Sequence, residues 1–117
     1  AEKLAMEPER VAACHLKMVM SHLACADTPA HPLNSIQRDN FNHIRKCFPM
    51  LAGSLANSAG ICLNSHFHHD MGRPGCALYG ISPTPGRPAP VEPVVTLSAP
   101  ILQIRTTREA ESFVGYG

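Results

Sequence analysis

Residues 71–80 read MGRPGCALYG and join a rigid turn to a short apolar run. Pro74 fixes a backbone angle and Gly75 lets the chain approach a neighbouring segment closely, so residues 73–75 predict a tight turn. The run from Cys76 to Tyr79 then predicts a short strand that ends at Gly80. An arginine at such a turn can bind an anion or donate to a heteroaromatic nitrogen. Taken alone, the stretch is more typical of an ordinary loop-to-strand joint with a solvated arginine, so its neighbours must be considered.

A second turn of small residues precedes this stretch, at residues 57–60 (NSAG) after a short strand predicted over 51–56. Backbone N–H groups and the Ser58 hydroxyl can face a phosphate in such a turn, although Asn57 or Ser58 acting as a plain helix cap is commoner. Gly75 and Cys76 offer another pair of close backbone N–H groups. Two such turns after successive parallel strands are typical of the phosphate site of a (β/α) barrel.

Residues 16–23 form a short apolar run that predicts a buried parallel strand ending at His22. His22 is expected on the same face as Ser58 and Arg73, but a satisfied, partly buried histidine explains it equally well. The next segment predicts an amphipathic helix that Asn34 caps, that Gln37 supports and that Pro49 ends. Its apolar face consists of four residues at helical spacing: Ile36, Phe41, Ile44 and Phe48.

The order of elements predicts an α/β fold followed by a change of class. Residues 1–13 favour helix interrupted near Pro8, and strands and helices alternate from there to residue 81, as in a parallel sheet or barrel. A whole barrel needs about 250 residues, so this part holds roughly three of its strands. Residues 82–93 are a proline-rich linker, and 94–99 and 101–106 predict antiparallel strands. We therefore expect a partial barrel over 1–81, the linker over 82–93 and the start of a β domain over 94–117.

Composition excludes several classes of protein. The 117 residues carry a net charge of +1 with no clustered basic stripe, so no nucleic-acid footprint is present. No apolar run approaches the roughly 18 residues that a membrane span needs. The five cysteines include no CxxC pair and indicate reduced thiols in a cytoplasmic protein. His66 and His68 lie in a polar loop without a completing ligand pattern, so no metal site is predicted.

Several of these stretches together resemble bacterial alanine racemase, a homodimer with a pyridoxal 5'-phosphate (PLP)-binding barrel and a C-terminal β domain. The resemblance covers nearly the whole chain but only about the middle third of a complete racemase. It rests on residues 21–27 (SHLACAD), 31–34 (HPLN) with Gln37 after them, 56–60 (ANSAG), 73–80 (RPGCALYG), 94–97 (VVTL), 101–103 (ILQ) and 114–117 (VGYG).

The resemblance implies a set of cofactor-binding residues. Ser58, Gly75 and Cys76 would hold the PLP phosphate, the last two through backbone N–H groups, and Asn57 belongs to the same turn. Arg73 would face the pyridine nitrogen and donate to it without protonating it, because arginine stays protonated. Such an arrangement weakens the cofactor as an electron sink and favours racemisation over side reactions.

The resemblance also implies the catalytic residues. His22 would orient Arg73 and contact Tyr116, and Tyr116 would be the general base on one face of the substrate, acting in the site of the partner subunit. The irregular sequence before Tyr116, residues 108–113, departs from the Gly-Glu-Ser turn of the family. Cys76 stands where the family has an aliphatic residue, which a backbone contact tolerates.

The implied function is the interconversion of L-alanine and D-alanine by a cytoplasmic enzyme. The reaction would supply D-alanine for peptidoglycan synthesis. None of Lys3, Lys17 and Lys46 lies in the motif of the lysine that forms the Schiff base with PLP, and both ends look unlike those of a complete protein. We therefore expect an internal fragment that is inactive alone. Two alternatives remain open: a broad-specificity or serine-preferring racemase, and a non-catalytic truncated remnant that binds partners through its proline linker and histidine-rich loop.

Overall fold

The computed structural model describes residues 2–88, 90–104 and 106. Its five regular elements and three 3₁₀ turns are all short except one helix. In chain order they are α1 (Glu2–Met6), a 3₁₀ turn (Pro8–Val11), β1 (Met18–Met20), α2 (Pro32–Lys46), β2 (Ala52–Ser54), α3 (Ser58–Leu63) and two further 3₁₀ turns (Ser65–Phe67 and Cys76–Tyr79).

A parallel sheet organises the site. β1 and β2 pair in parallel, with Val19 opposite Gly53, and α2 makes the crossover between them. The segment around residues 70–73 runs along the other side of β2: the Arg73 N–H donates to the Ala56 carbonyl oxygen at 2.9 Å, and Asn57 and Arg73 form a parallel bridge. The predicted alternation of β and α elements is therefore confirmed as far as α3, and three successive segments end at one edge of the sheet.

The core lies between the sheet and the helices. Leu23 and Leu55 are almost completely buried, and Phe41 of α2 packs against them. The buried cluster consists of Leu23, Ala26, Phe41, Leu55, Ala59 and Phe67. Of the four residues predicted as the apolar face of α2, only Phe41 is fully buried, and Ile36 is 52% exposed. The described residues therefore cover this face only in part.

The start of α2 differs from the prediction. The helix begins at Pro32, and the His31 ring caps it by accepting the Leu33 N–H at its Nδ1. Asn34 is buried inside the first turn, where its amide donates to the Thr28 carbonyl oxygen at 3.1 Å. Gln37 is not part of a capping box because its side chain contacts the segment after β1. Pro32 suits the first helical position because its missing N–H would have had no partner there.

Residues 76–79 form a 3₁₀ turn, so the predicted strand at this position is wrong. The Leu78 N–H donates to the Gly75 carbonyl oxygen at 3.0 Å, and Gly80 ends the turn with a φ of 75°. A four-residue apolar run has too few positions to separate a strand from a helical turn by periodicity. The left-handed conformation of Gly80 favours glycine because it has no Cβ. A Cβ there would also collide with the backbone of Glu92 and Pro93.

The strands predicted after the proline-rich segment are not formed within the described residues, because 94–104 and 106 have no assigned strand. Leu97 and Leu102 are more than 90% exposed, so no strand or core formed by the described residues covers these side chains. Strand propensity without a pairing partner does not make a sheet. The division into a partial barrel, a linker and a β domain stays a prediction.

The described part of the chain contains no helix that is both long and apolar enough to cross a membrane.

We predict that Gly53→Ala destabilises the protein by about 1–2 kcal/mol, because a Cβ would lie 2.6 Å from the Arg45 Cδ. Arg45 cannot move without cost, since its guanidinium bonds to the Leu51 carbonyl oxygen and to Asp70. Urea unfolding of the purified protein measures the loss. In the Arg45→Ala background the same Gly53→Ala change should cost much less, and equal losses in both backgrounds would contradict the predicted collision.

His69 predicts a pH dependence of stability. Burial, and then the nearby positive charge of Arg45, lower the pKa of His69 below its usual value. The unfolded chain therefore binds a proton at this position more readily than the folded protein, and stability should fall as the pH drops below about 6.5.

His69→Asn should flatten this fall, because asparagine tolerates the positive φ of 52° at this position and does not titrate. Urea unfolding of both proteins between pH 5 and pH 8 measures the difference. Parallel pH profiles for the two proteins would show that His69 does not contribute.

Candidate functional site

The carboxyl ends of the three parallel segments bring a set of polar side chains together. β1 ends just before Ser21 and His22, β2 ends at Ser54, and the third segment ends at Arg73. Parallel strands deliver the residues that follow them to the same edge, which is where α/β folds place their ligand sites. The location therefore agrees with that expected for His22, Ser58 and Arg73.

Arg73 lies at the centre of this edge. Its guanidinium donates to the Ser21 carbonyl oxygen at 2.6 Å and to the Ser54 hydroxyl at 2.5 Å, and it lies 3.4 Å from the His22 Nδ1. The Ser21 carbonyl oxygen and the Ser54 hydroxyl carry no charge, and none of the ion pairs among the described residues includes Arg73. Its positive charge is therefore held in place without being compensated, which leaves it available to an anion or a neutral acceptor from outside the chain.

Asn57 links His22 to the start of α3. Its Nδ2 lies 3.2 Å from the His22 Nε2 and donates to the Leu23 carbonyl oxygen, while its Oδ1 accepts the Gly60 N–H at 2.9 Å. The Gly60 and Leu23 contacts fix which end of the amide carries the oxygen. Asn57 is thus both the N-cap of α3 and a cross-link to the segment after β1.

Ser58 and the turn at Gly75 form a second polar group beside Arg73. The buried Ser58 Oγ accepts the Gly75 N–H at 2.7 Å and lies 3.4 Å from the Ala77 nitrogen. An oxygen that accepts two N–H groups keeps its own proton available to donate. Within the described part of the chain the Cys76 N–H makes no hydrogen bond. The group is therefore suited to an anion, and a Cβ placed on Gly75 would meet only the Ser58 Oγ, at 4.0 Å.

The structure brings most of the predicted site residues to one edge of the sheet. Asn57 and Ser58 are adjacent in the chain, and they join the contacts around Arg73 and His22 to the turn at Gly75. The predicted neighbourhood of His22 and Arg73 is present. The Asn57 side chain is occupied by contacts within the protein, so its expected contact with a cofactor stays a prediction. Tyr116 lies outside the described residues.

Three residues that complete this site were not predicted as site residues from the sequence. Ser21 and Ser54 contact Arg73, and Gln37 accepts the Ala24 N–H at 3.0 Å and donates to the His22 carbonyl oxygen. The single hydroxyl side chain within the apolar run 51–56 is the signal that could have identified Ser54. Ser21 contacts Arg73 through its backbone carbonyl oxygen, and Gln37 contacts a residue 13 positions away in the chain. Neither contact could be predicted from the local sequence.

The histidine-rich loop does not assemble a metal site in the region that the structure describes, where no three His, Cys, Asp or Glu side chains are suitably grouped. Instead, His68 contacts the Ile61 carbonyl oxygen at 2.8 Å through its Nε2, and the His69 ring packs edge-on against Phe41. These contacts attach the loop to the core.

Comparison with known proteins gives consistent matches. Residues 1–83 match the family model for the N-terminal domain of alanine racemase. The chain is 49% identical over 116 residues to a catabolic alanine racemase of Mesorhizobium japonicum, covering 99% of this chain and 30% of that protein. It is 47% identical over 116 residues to an alanine racemase of Rhodospirillum rubrum, covering 99% of this chain and 31% of that protein. It is 41% identical to a biosynthetic alanine racemase of Agrobacterium fabrum, covering 97% of this chain and 29% of that protein.

A solved structure is also similar. The crystal structure of alanine racemase from Bartonella henselae with covalently bound pyridoxal phosphate superposes with a TM-score of 0.69 at 36% identity. The match covers 79% of this chain and 27% of that one. The chain thus spans about 30% of the length of the curated relatives it matches.

We predict that Asn57→Ala destabilises the protein by about 2 kcal/mol, because it removes both the cap of α3 and the donor to the Leu23 carbonyl oxygen. Asn57→Ser is the matched variant: its hydroxyl can cap the helix but is too short to reach His22. We expect it to recover about half of the loss. Urea unfolding compares the two. Full recovery by serine would show that the cross-link to the segment after β1 contributes no stability.

Proposed function

The chain belongs to the family of the alanine racemase N-terminal domain, and from that membership we propose that it is part of a PLP-dependent enzyme that interconverts L-alanine and D-alanine. The observation that carries the proposal is the convergence of Arg73, His22, Asn57 and Ser58 at the carboxyl edge of a parallel sheet. Because the chain spans about 30% of its relatives, the activity is proposed for the longer protein that contains it.

The chemistry of the site supports PLP as the cofactor. PLP presents a phosphate and a ring nitrogen that accepts a hydrogen bond. The Ser58 hydroxyl keeps a proton to donate, the Cys76 N–H points to no acceptor in the described chain, and the turn at Gly75 leaves open space. These features suit the phosphate. The uncompensated guanidinium of Arg73 suits the ring nitrogen. The residues present therefore fit this group.

When bound, PLP withdraws electrons from the α-carbon of an amino acid and makes its proton acidic. The proposed part of this chain is to hold and orient. Arg73 would donate to the ring nitrogen without giving up its proton, which would limit the electron withdrawal and favour return of the proton over side reactions. His22 and Asn57 keep Arg73 and the neighbouring turn in place. Tyr116 is proposed to move the α-proton on one face of the substrate.

The remaining parts of the proposal concern the longer protein. A lysine that holds PLP is expected, and none of Lys3, Lys17 and Lys46 lies in its motif, so we propose that these 117 residues alone do not racemise alanine. The longer protein is proposed to be a cytoplasmic homodimer in which residues 94–117 begin a β domain and Tyr116 acts in the partner's site. Its D-alanine is proposed to serve peptidoglycan synthesis.

Full-length protein expressed from the gene that contains this segment tests the function. With PLP added, we expect it to convert either enantiomer of alanine into an equal mixture, measured by chiral chromatography. Repeating the assay with serine separates an alanine racemase from a broader racemase. Absence of any interconversion by a folded, PLP-treated protein would overturn the proposal.

Within that protein, we predict that Ser58→Ala weakens PLP binding about tenfold, because the hydroxyl donor to the phosphate is lost. Titration of the cofactor-free protein with PLP, followed by absorbance, measures the dissociation constant. Ser35→Ala is the matched control, since the Ser35 hydroxyl is exposed and its one hydrogen bond to the described residues is to the Pro32 carbonyl oxygen. Equal PLP affinity of the Ser58 and Ser35 variants would contradict the assignment.

A further inference from the structure

Ser54 is a fully buried polar residue at the carboxyl end of β2, and nothing in the proposed function uses it. Its hydroxyl donates to the Met71 carbonyl oxygen at 2.8 Å and accepts from the Arg73 Nη1. A serine hydroxyl has one proton, so donation to Met71 turns its lone pairs toward the guanidinium. Ser54 thus fixes the backbone two residues before Arg73 and the tip of the Arg73 side chain at once.

The other partners of Arg73 cannot supply the same constraint. The Ser21 contact is to a backbone carbonyl oxygen and involves Nη2, and the His22 Nδ1 is 3.4 Å from that same nitrogen. Nη1 is the nitrogen that Ser54 holds. Rotation of the guanidinium about its Nε–Cζ bond moves both Nη atoms, so a guanidinium held at both nitrogens must break the hydrogen bonds of both to rotate, whereas one held only at Nη2 must break fewer.

The choice of a hydroxyl has an electrostatic consequence. A carboxylate at position 54 would also hold Nη1, but it would compensate the positive charge of Arg73 in a buried setting. A neutral hydroxyl orients the guanidinium without compensating its positive charge, so the charge can attract a group bound at the edge of the sheet. Burial increases the effect, because a buried hydrogen bond is not exchanged for one with water.

We propose that Ser54 is a positioning residue that sets the orientation of the Arg73 guanidinium toward the ring nitrogen of the cofactor. The part of this inference that concerns the cofactor rests on the proposed function. The part that concerns Arg73 rests on the contacts of Ser54 alone, so the two can be tested separately.

The first test needs no cofactor. Nitrogen-detected NMR of the full-length protein without PLP measures how fast each arginine guanidinium rotates, with Arg10, whose side chain is 54% exposed, as an internal reference. We expect slow rotation for Arg73 in the wild type and in Ser54→Thr, which keeps a hydroxyl. In Ser54→Ala we expect rotation to be several-fold faster. Unchanged rotation in the alanine variant would overturn the positioning role, whatever the activity of the protein.

The second test uses the protein loaded with PLP. In Ser54→Ala we expect kcat for alanine to fall about tenfold while KM changes less than about twofold, because the change affects orientation during reaction more than substrate binding. The absorption maximum of bound PLP should shift, since a donor to its ring nitrogen is displaced. Ser54→Thr should restore both, and Ser35→Ala should change neither.

The outcomes separate the two hypotheses. A wild-type protein that neither binds PLP nor racemises alanine overturns the proposed function, and the rotation of Arg73 still decides whether Ser54 positions it. A Ser54→Ala protein with normal kcat and an unshifted PLP spectrum, in an active wild-type background, overturns the link between Ser54 and the cofactor. A Ser54→Ala protein that only loses thermal stability, with kcat and the PLP spectrum unchanged, also overturns that link.

Discussion

The parallel register between β2 and the segment that ends at Arg73 is the constraint on which the site depends. It is set by backbone hydrogen bonds, chiefly from the Arg73 N–H to the Ala56 carbonyl oxygen and from the Asp70 N–H to the Gly53 carbonyl oxygen. With this register Arg73 lies beside Asn57, and its side chain reaches across to the end of β1. A slip of one residue would turn Arg73 to the opposite face of the sheet, so the backbone pairing selects the partners of the guanidinium.

With this register, the polar residues of the edge form hydrogen bonds with one another, and most of their donors and acceptors are used. Asn57 uses both ends of its amide, and the Ser58 Oγ and the Ser54 Oγ each accept a donor from the turn or strand around Arg73. The contacts between different segments of the edge join residues 17 to 52 positions apart in the chain. Since buried polar groups are costly when unpaired, loss of one member also affects the partners that it leaves. The edge therefore acts as a single hydrogen-bonded unit.

The sequence predicts this edge well because its residues follow strands. Apolar runs ending at His22 and before Asn57 identify parallel strands, and the parallel arrangement then brings their ends together. The same reasoning fails at residues 76–79, where four apolar residues form a 3₁₀ turn, and at 94–104, where β-branched residues form no strand with the other described residues. It also misses Ser54, since the contact of Ser54 with Arg73 spans 19 residues and depends on how two segments pair. Local patterns thus predict elements and their ends, whereas hydrogen-bond partners depend on register.

The polar edge and the apolar core differ in how completely the described residues form them. Arg73, His22, Asn57 and Ser58 find hydrogen-bond partners within a stretch from Ser21 to Ala77. The apolar layer is less complete: a cavity of about 360 Å³ opens between β1 and α2, beside Val19, Phe41 and Ile44, and Met20 is 64% exposed. Apolar surface of this kind contributes to stability only where something covers it. The orientation of the site residues is therefore a local property of this segment, whereas the stability that holds the segment together depends on how much of the apolar layer is covered. Substitutions at the edge should accordingly be interpreted through the hydrogen bonds they remove.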